Sequence, residues 1–407
     1  MLSVDEALSA ILKHVEPSTA EPTPMPSAMS RVLAQDVTTP HGSPPFDKSM
    51  MDGFAVRSAD FFNTSGDMML SVVETITAGT VPVRTIETGT AAQIMTGAPL
   101  PQGADCVVPI ERVHLDAARP GIVTVSSVDV SAERHVLRAG CLAETGARLL
   151  SAGTLIEPQH IAVLAEFGLS RIPTHRCPEV AVLATGDELV PFDQPLSPGK
   201  IRNSNEPMLV SQVQRACGIA VPLGVARDNR EELRTAIQRG LQSDFLLLSG
   251  GVSAGTLDLV PSELQAAGVT EVFHKISMKP GKPLWFGERK TLEHRCHVFG
   301  LPGNPVSSMI CFEAFVRPAL RRFAGHRHPE SAVVSATLVE DVAVRGDRVT
   351  YYPSQLVHGQ HGFEVRPVPW GGSADLRSTA QANSMSILEP RNETYAAGET
   401  VSVIAWT

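Results

Sequence analysis

The sequence has no close cysteine pair: Cys106, Cys141, Cys177, Cys217, Cys296 and Cys311 stand far apart, with no C-x-x-C spacing. That argues against a zinc ribbon or a dithiol redox centre and fits small buried hydrophobes in a reducing compartment. No apolar run reaches the length of a membrane span, about 18 residues. The opening Met1-Leu-Ser-Val-Asp-Glu6 is acidic and lacks the basic-then-apolar order of a signal peptide. Positive charge is in deficit, with 34 Lys and Arg against 43 Asp and Glu and a net charge of −9. Broad nucleic-acid binding needs a basic face, so it is not expected. An anionic ligand held by a local basic cluster is still compatible with that balance. Walker A, G-x-G-x-x-G and H-E-x-x-H patterns are missing. These absences leave a cytoplasmic enzyme with no membrane and no nucleic-acid partner as the expectation.

What is present is enough for several cores. The chain has 407 residues, 43% of them hydrophobic, which suggests two to four domains that need no metal or disulfide staple. Ser3 and Glu6 form a capping-box pattern ahead of an amphipathic helix over 3–15, and the Pro, Ser and Thr of 17–29 read as a linker. A short helix is expected near Met29–Ala34. Together with 138–177, which ends in a helix around Pro158–Gly168, residues 1–45 form a discontinuous linker or dimerisation domain. Residues 46–137 carry short β-branched runs between Gly and Pro and read as a β-rich domain. Residues 178–325 alternate strand and helix, predicting a doubly wound, mostly parallel α/β domain. Asn304-Pro305 there opens a long helix to about Phe323. Residues 326–407 lose the helical pattern and read as a small C-terminal β domain.

In an open parallel sheet, ligands bind outside the carboxyl ends of the strands. Each predicted strand end of the α/β domain carries a polar or glycine-rich loop: Thr185-Gly186-Asp187-Glu188, then Arg227-Asp228, then Ser249-Gly250-Gly251-Val252-Ser253, followed by Asp258. Lys275, Lys279 and Lys282 follow the next strand, and Pro302-Gly303-Asn304-Pro305 the last. Convergence would join glycine amides suited to anion oxygens, a helix N-terminus, three lysines, and carboxylates able to hold a divalent cation. That set describes a site for a phosphorylated ligand beside a metal ion or an oxyanion. Gly251-Val-Ser253-Ala-Gly255 matches a nucleophile elbow, but an elbow turns from strand to helix at its serine. Here Thr256, Leu257 and Asp258 intervene before the next helical pattern.

These loops resemble the molybdopterin molybdenumtransferases, the MoeA and gephyrin E-domain family, and the resemblance covers nearly the whole chain. It is carried by Pro44-Pro-Phe-Asp-Lys-Ser-Met-Met-Asp-Gly-Phe-Ala55, Ile94-Met-Thr-Gly-Ala-Pro-Leu-Pro-Gln-Gly-Ala-Asp105, Thr185-Gly-Asp-Glu-Leu189, Ser249-Gly-Gly-Val-Ser253, Met278-Lys-Pro-Gly-Lys-Pro283 and Gly300-Leu-Pro-Gly-Asn-Pro-Val306. Gly372-Ser-Ala-Asp375 and Ala397-Gly-Glu399 look like the family's last domain, which implies a C-terminal β-barrel. The resemblance implies insertion of molybdate into adenylylated molybdopterin with Mg2+, releasing AMP. It also implies a homodimer whose cleft joins the α/β domain of one subunit to the β-rich domain of the other. The molybdopterin adenylyltransferase and apo-molybdoenzymes are the implied partners.

By the same resemblance Asp52, Asp228, Asp258, Lys275 and Lys279 are catalytic, and Glu188, Asp228 and Asp258 hold the metal. Thr96, Thr185, Gly186, Ser249, Gly250, Gly251, Ser253, Lys282, Pro302, Gly303, Asn304 and Pro305 bind substrate, with Asp52 and Thr96 reaching in from the partner subunit. The chain departs from the family pattern at Lys48, Phe54, Asn203 and Leu142. Leu142 replaces an acidic residue, and Glu144, on the same side of an extended segment, is expected to stand in for it. An adenylyltransferase-like enzyme and a non-catalytic scaffold of this fold remain as alternatives at this stage.

Overall fold

The computed structural model describes residues 1–251 and 259–406. Two compact units are present: one holds Met1–Gln35, Ala152–Ala162 and the chain from Ser170 onward, the other Asp36–Ser151 and Val163–Leu169.

The first unit is organised by a six-stranded sheet in the order Ile219–Ala226, Glu179–Thr185, Phe245–Ser249, Arg295–Leu301, Trp285–Lys290, Thr270–His274. The first four strands run parallel; Trp285–Lys290 runs antiparallel to both of its neighbours, and Thr270–His274 again has the direction of the first four. Glu179–Thr185 and Phe245–Ser249 are apolar almost throughout because both their faces are covered. Successive side chains alternate into two cores. Val180, Val182, Phe245 and Leu247 face one; Ala181, Leu183, Leu246 and Leu248 face the other. Ala7 and Ile11 of the capped helix Val4–His14 close the first core.

Three local expectations are corrected. Ala20–Pro24, within the expected linker, is a strand paired antiparallel with Arg171–His175, Pro22 lying opposite Pro173. Proline donates no ladder hydrogen bond, but an isolated two-stranded ribbon tolerates it. The segment expected to be helical near Met29–Ala34 is a turn at Met29–Ser30, with Ser30 at φ 63°, followed by Val32 and Leu33 in single antiparallel bridges to Leu155 and Thr174. The helix opened by Asn304 contains a π segment, Phe312–Val316, between Pro305–Cys311 and Arg317–Phe323. At that segment Glu313 is fully buried and accepts from Arg317 at 2.9 Å, from Gln212 at 2.7 Å, and from Arg215.

The C-terminal strands form a closed five-stranded barrel. Val349–Gly359 pairs on one side with Gly362–Pro367 and on the other with Ser384–Leu388, and Thr400–Ala405 and Val333–Leu338 complete the ring. Met278–Lys279 adds parallel to Val349–Thr350 and ties the barrel to the α/β domain. Arg391 forks onto Glu399 at 2.9 and 2.8 Å.

The second unit is built on the sheet Cys106–Pro109, Gly53–Val56, Thr90–Ile94, Asp67–Ile76, Ile122–Ser126, Val113–Leu115. A Cβ at Gly53 would lie 2.0 Å from the Val108 carbonyl oxygen, so only glycine fits that crossing. Among the described residues of both units, no helix is long and apolar enough to cross a membrane.

Glu313 is the buried counter-charge for two guanidiniums, and Glu313→Ala removes it from the buried Arg317. Loss of a buried ion-pair partner costs about 3–5 kcal/mol. Urea unfolding should show a drop of that order, and a change near zero would mean that the arginines are paired elsewhere.

Candidate active site

Two adjoining cavities lie at the strand ends of the first unit, sharing Pro283 and Pro302 in their walls. The smaller, of about 300 Å3, is lined by Thr185, Gly186, Glu188, Asn205, Asp228, Ser249, Gly250, Gly251 and Gly303. Parallel register puts Thr185 and Ser249 at neighbouring strand ends, and their loops meet there. Gly250 and Gly251 have φ of 97° and 65°, and a Cβ on either would sit 3.0 Å from Thr185 Oγ1. Their contribution is space. The amides of Gly186 and Gly250 already donate to the Ala226 and Leu301 carbonyls at 3.2 Å each, so these two are not the anion donors expected from the sequence.

Polar groups converge on this cavity. Thr185 is buried, and its Oγ1 has no partner among the described residues; the same holds for Asn205 Oδ1. Asn205 Nδ2 donates to Ser249 Oγ at 2.6 Å and to the Gly303 carbonyl at 2.8 Å, locking two of the loops together. The Asp228 amide donates to Asp187 Oδ1 at 3.2 Å. Asn205 was not anticipated as a site residue, since an asparagine at a helix start ordinarily reads as a cap.

The larger cavity, of about 830 Å3, is cationic: Lys279, Lys282, Arg345 and Arg348 line it with Asn304, Ser373, Tyr352 and Trp370. Among the described residues Lys279 Nζ donates once, to the Arg345 carbonyl at 3.1 Å, which leaves two of its three protons for a ligand. Arg348 donates to the Met278 carbonyl at 3.0 Å. Asn304 makes no cap bond to its own helix; its Nδ2 donates to Ser373 Oγ at 2.9 Å, and the Ser373 hydroxyl proton stays available. Arg345 and Arg348 carried no sequence signal, because Arg345-Gly-Asp-Arg348 looks like any polar turn.

The remaining expected residues fall elsewhere. Lys275 has φ 73°, donates its amide to the Leu284 carbonyl and lines neither cavity. Pro305 begins its helix as expected but lines neither cavity. Ser253 and Asp258 lie outside the described residues. In the second unit, Asp52 Oδ1 accepts from the Thr96 amide at 2.6 Å and from the Thr96 hydroxyl at 2.7 Å. The hydroxyl, and then the amide, holds the Asp52 carboxyl below its ordinary pKa. Asn203 is buried and caps its helix, Oδ1 accepting from the Glu206 amide and Nδ2 donating to the Glu206 carboxylate at 2.9 Å. An aspartate there would face that carboxylate, which explains the departure. Leu142 is 67% exposed. Its amide and that of Ala143 both donate to the Ser43 carbonyl, so the segment bends and the alternation assumed between Leu142 and Glu144 does not hold.

A lowered Asp52 pKa favours the ionised contact above the ordinary aspartate value and loses it as pH falls through the depressed one. Thr96→Val removes the larger cause. Carboxyl-carbon NMR titration should show Asp52 moving up toward an ordinary aspartate; an unmoved midpoint would mean that Thr96 is not what holds it.

The chain matches the family descriptions "MoeA N-terminal region (domain I and II)" over residues 2–168, "Probable molybdopterin binding domain" over 181–322 and "MoeA C-terminal region (domain IV)" over 335–406. It is 33% identical to the molybdopterin molybdenumtransferase of Bacillus subtilis (strain 168), covering 99% of this chain and 94% of that protein. Identity to the enzyme of the same name from Staphylococcus aureus (strain Mu50) is 31%, covering 99% and 95%. Among solved structures, a molybdopterin biosynthesis MoeA protein from Pyrococcus horikoshii superposes with a TM-score of 0.85 at 29% identity, covering 100% of this chain and 99% of the other.

Proposed function

The chain belongs to the molybdopterin molybdenumtransferase (MoeA) family, enzymes of molybdenum cofactor biosynthesis, and from that premise we propose that it inserts molybdate into adenylylated molybdopterin with Mg2+, releasing AMP. One observation carries the proposal: a cavity with buried oxygens that have no partner among the described residues opens beside a second cavity ringed by four cations. The first suits the pterin and phosphate portion of the substrate, and the second suits a tetrahedral dianion. Lys279, Lys282, Arg345 and Arg348 would neutralise molybdate and the charge that develops on transferring oxygens as the phosphate linkage breaks. The Ser373 hydroxyl, oriented by Asn304, would fix one oxyanion oxygen.

The donors at the smaller cavity fit a magnesium ion. Glu188 and Asp228 both line it, beside the Thr185 and Asn205 oxygens that no described residue engages. Magnesium keeps several waters and is bound through one or two carboxylates and substrate phosphate, so a third protein carboxylate is not required. Among the described residues no group of three acidic, His or Cys ligands occurs; Asp258 lies outside them. Glu188 and Asp228 would hold the ion, which supplies charge neutralisation to phosphate oxygens when bound. Asp52 and Thr96 would be supplied by the second subunit of a homodimer, their hydrogen-bonded pair presenting a carboxylate kept ionised. The adenylylating enzyme is the supplier this substrate requires, and apo-molybdoenzymes would take up the product.

Purified protein given adenylylated molybdopterin and Mg2+ should release AMP only when molybdate is added. Lys279→Ala should lower that rate by about 100-fold or more, as expected for removing one electrostatic stabiliser, and Lys275→Ala should cost less. Mixing Asp52→Ala with Lys279→Ala subunits should restore part of the activity. AMP release at an equal rate without any oxyanion would defeat the insertion reading, and failure to complement after confirmed subunit exchange would defeat the shared cleft.

A further inference from the structure

Behind the π segment lies a third cavity, of about 380 Å3, that shares no residue with the two described above. Its floor carries Arg317 and Arg321, one turn apart on the helix Arg317–Phe323. Its walls include Val334, Leu356, Val357 and Phe363 of the barrel. The two arginines are placed differently. Arg317 is buried and pairs with Glu313, whose carboxylate also serves Arg215. Arg321 is half-buried, and the described residues offer its guanidinium neither a hydrogen bond nor an ion pair. Burial, and then the charge of Arg317, press Arg321 below its ordinary pKa. Asn383, also in the wall, is fastened to the Leu356 backbone, its Oδ1 accepting at 2.7 Å and its Nδ2 donating at 2.9 Å, which leaves one amide N–H beside the guanidinium's donors. Val357 and Phe363 in the same lining are 47% and 41% exposed, an apolar surface that a ligand can reach.

We propose that this cavity is a binding site for a small organic monocarboxylate, its carboxylate meeting the Arg321 fork and its apolar body covering Leu356, Val357 and Phe363. A planar fork of N–H donors matches a carboxylate in two parallel bonds. A carboxylate carried on an apolar body meets both the fork and the hydrocarbon wall, whereas an inorganic phosphate or sulfate would leave Leu356, Val357 and Phe363 uncovered and set its charge against them. The volume sits at the small end of ligand pockets, which run from about 300 to 1,000 Å3. A free acid and the carboxyl-terminal residue of a peptide share this chemistry. The site stands apart from the oxyanion cavity and does not rest on the molybdate reading.

The test is calorimetry and ligand-observed NMR on the full-length protein with phenylacetate, the isosteric neutral phenylacetamide, sulfate, and acetyl-Ala-Ala-Phe as free acid. Phenylacetate should bind while phenylacetamide and sulfate do not. Arg321→Gln should weaken phenylacetate by about 10-fold or more, the loss of a charge-assisted pair. Phe363→Ala should weaken it too, with molybdate-dependent AMP release and thermal stability unchanged in both variants. A peptide acid that binds more tightly than phenylacetate, through Arg321, supports the site and assigns it to chain termini. Equal binding of phenylacetate and phenylacetamide, an Arg321→Gln protein that binds as well as the parent, or no binding at tens of millimolar would each overturn the proposal.

Discussion

The short parallel pairing of Met278 opposite Val349 and Lys279 opposite Thr350 holds the C-terminal barrel to the α/β domain, and the cationic cavity depends on it. Lys279 belongs to a loop of the α/β domain; Arg345 and Arg348 belong to the turn that leads into the barrel strand Val349–Gly359. The ladder brings these like charges together, and two backbone carbonyls keep them there: Lys279 donates to Arg345, and Arg348 donates to Met278. Four cations around one cavity repel one another. Among the described residues, the single ion pair in that group runs from Arg348 to Asp347 at 3.7 Å, and Asp347 is almost wholly exposed. An arrangement that gathers positive charge and leaves it largely uncompensated is built for a multiply charged anion.

The smaller cavity shows the same economy with polar oxygens. Leaving a buried hydroxyl or amide oxygen without a donor costs about 1–3 kcal/mol each, yet among the described residues Thr185 and Asn205 are both left so. Asn205 could not easily be apolar, because its Nδ2 fastens Ser249 to the Gly303 carbonyl. The strand-end loops are therefore held by donors, while acceptors face the space where a ligand's donors belong. Gly186 and Gly250, whose amides are spent on the Ala226 and Leu301 carbonyls, contribute space there and not N–H groups.

Much of this was legible in the sequence because the α/β alternation and the glycine and proline punctuation are local signals. They place Thr185, Ser249, Gly250, Pro302 and Asn304 at successive strand ends, and the two cavities gather all five. The features that were not legible depend on distant partners. Ala20–Pro24 becomes a strand only because Arg171–His175 lies beside it. Trp285–Lys290, half polar, is a strand because Thr270–His274 and Arg295–Leu301 flank it, and it makes that edge of the sheet antiparallel. Arg345, Arg348 and Ser373 gain their meaning from barrel closure, since no spacing within the sequence links them to Lys279.

Diffraction from crystals soaked in tungstate, recorded at the tungsten absorption edge, tests the central claim most directly. Tungstate has the shape and charge of molybdate and scatters anomalously. The strongest anomalous peak should lie in the larger cavity, within reach of Lys279, Lys282, Arg348 and the Ser373 hydroxyl, and Lys279→Ala crystals should lose it. A principal peak elsewhere, with only water among those four residues, would contradict the assignment of the cavity to the oxyanion.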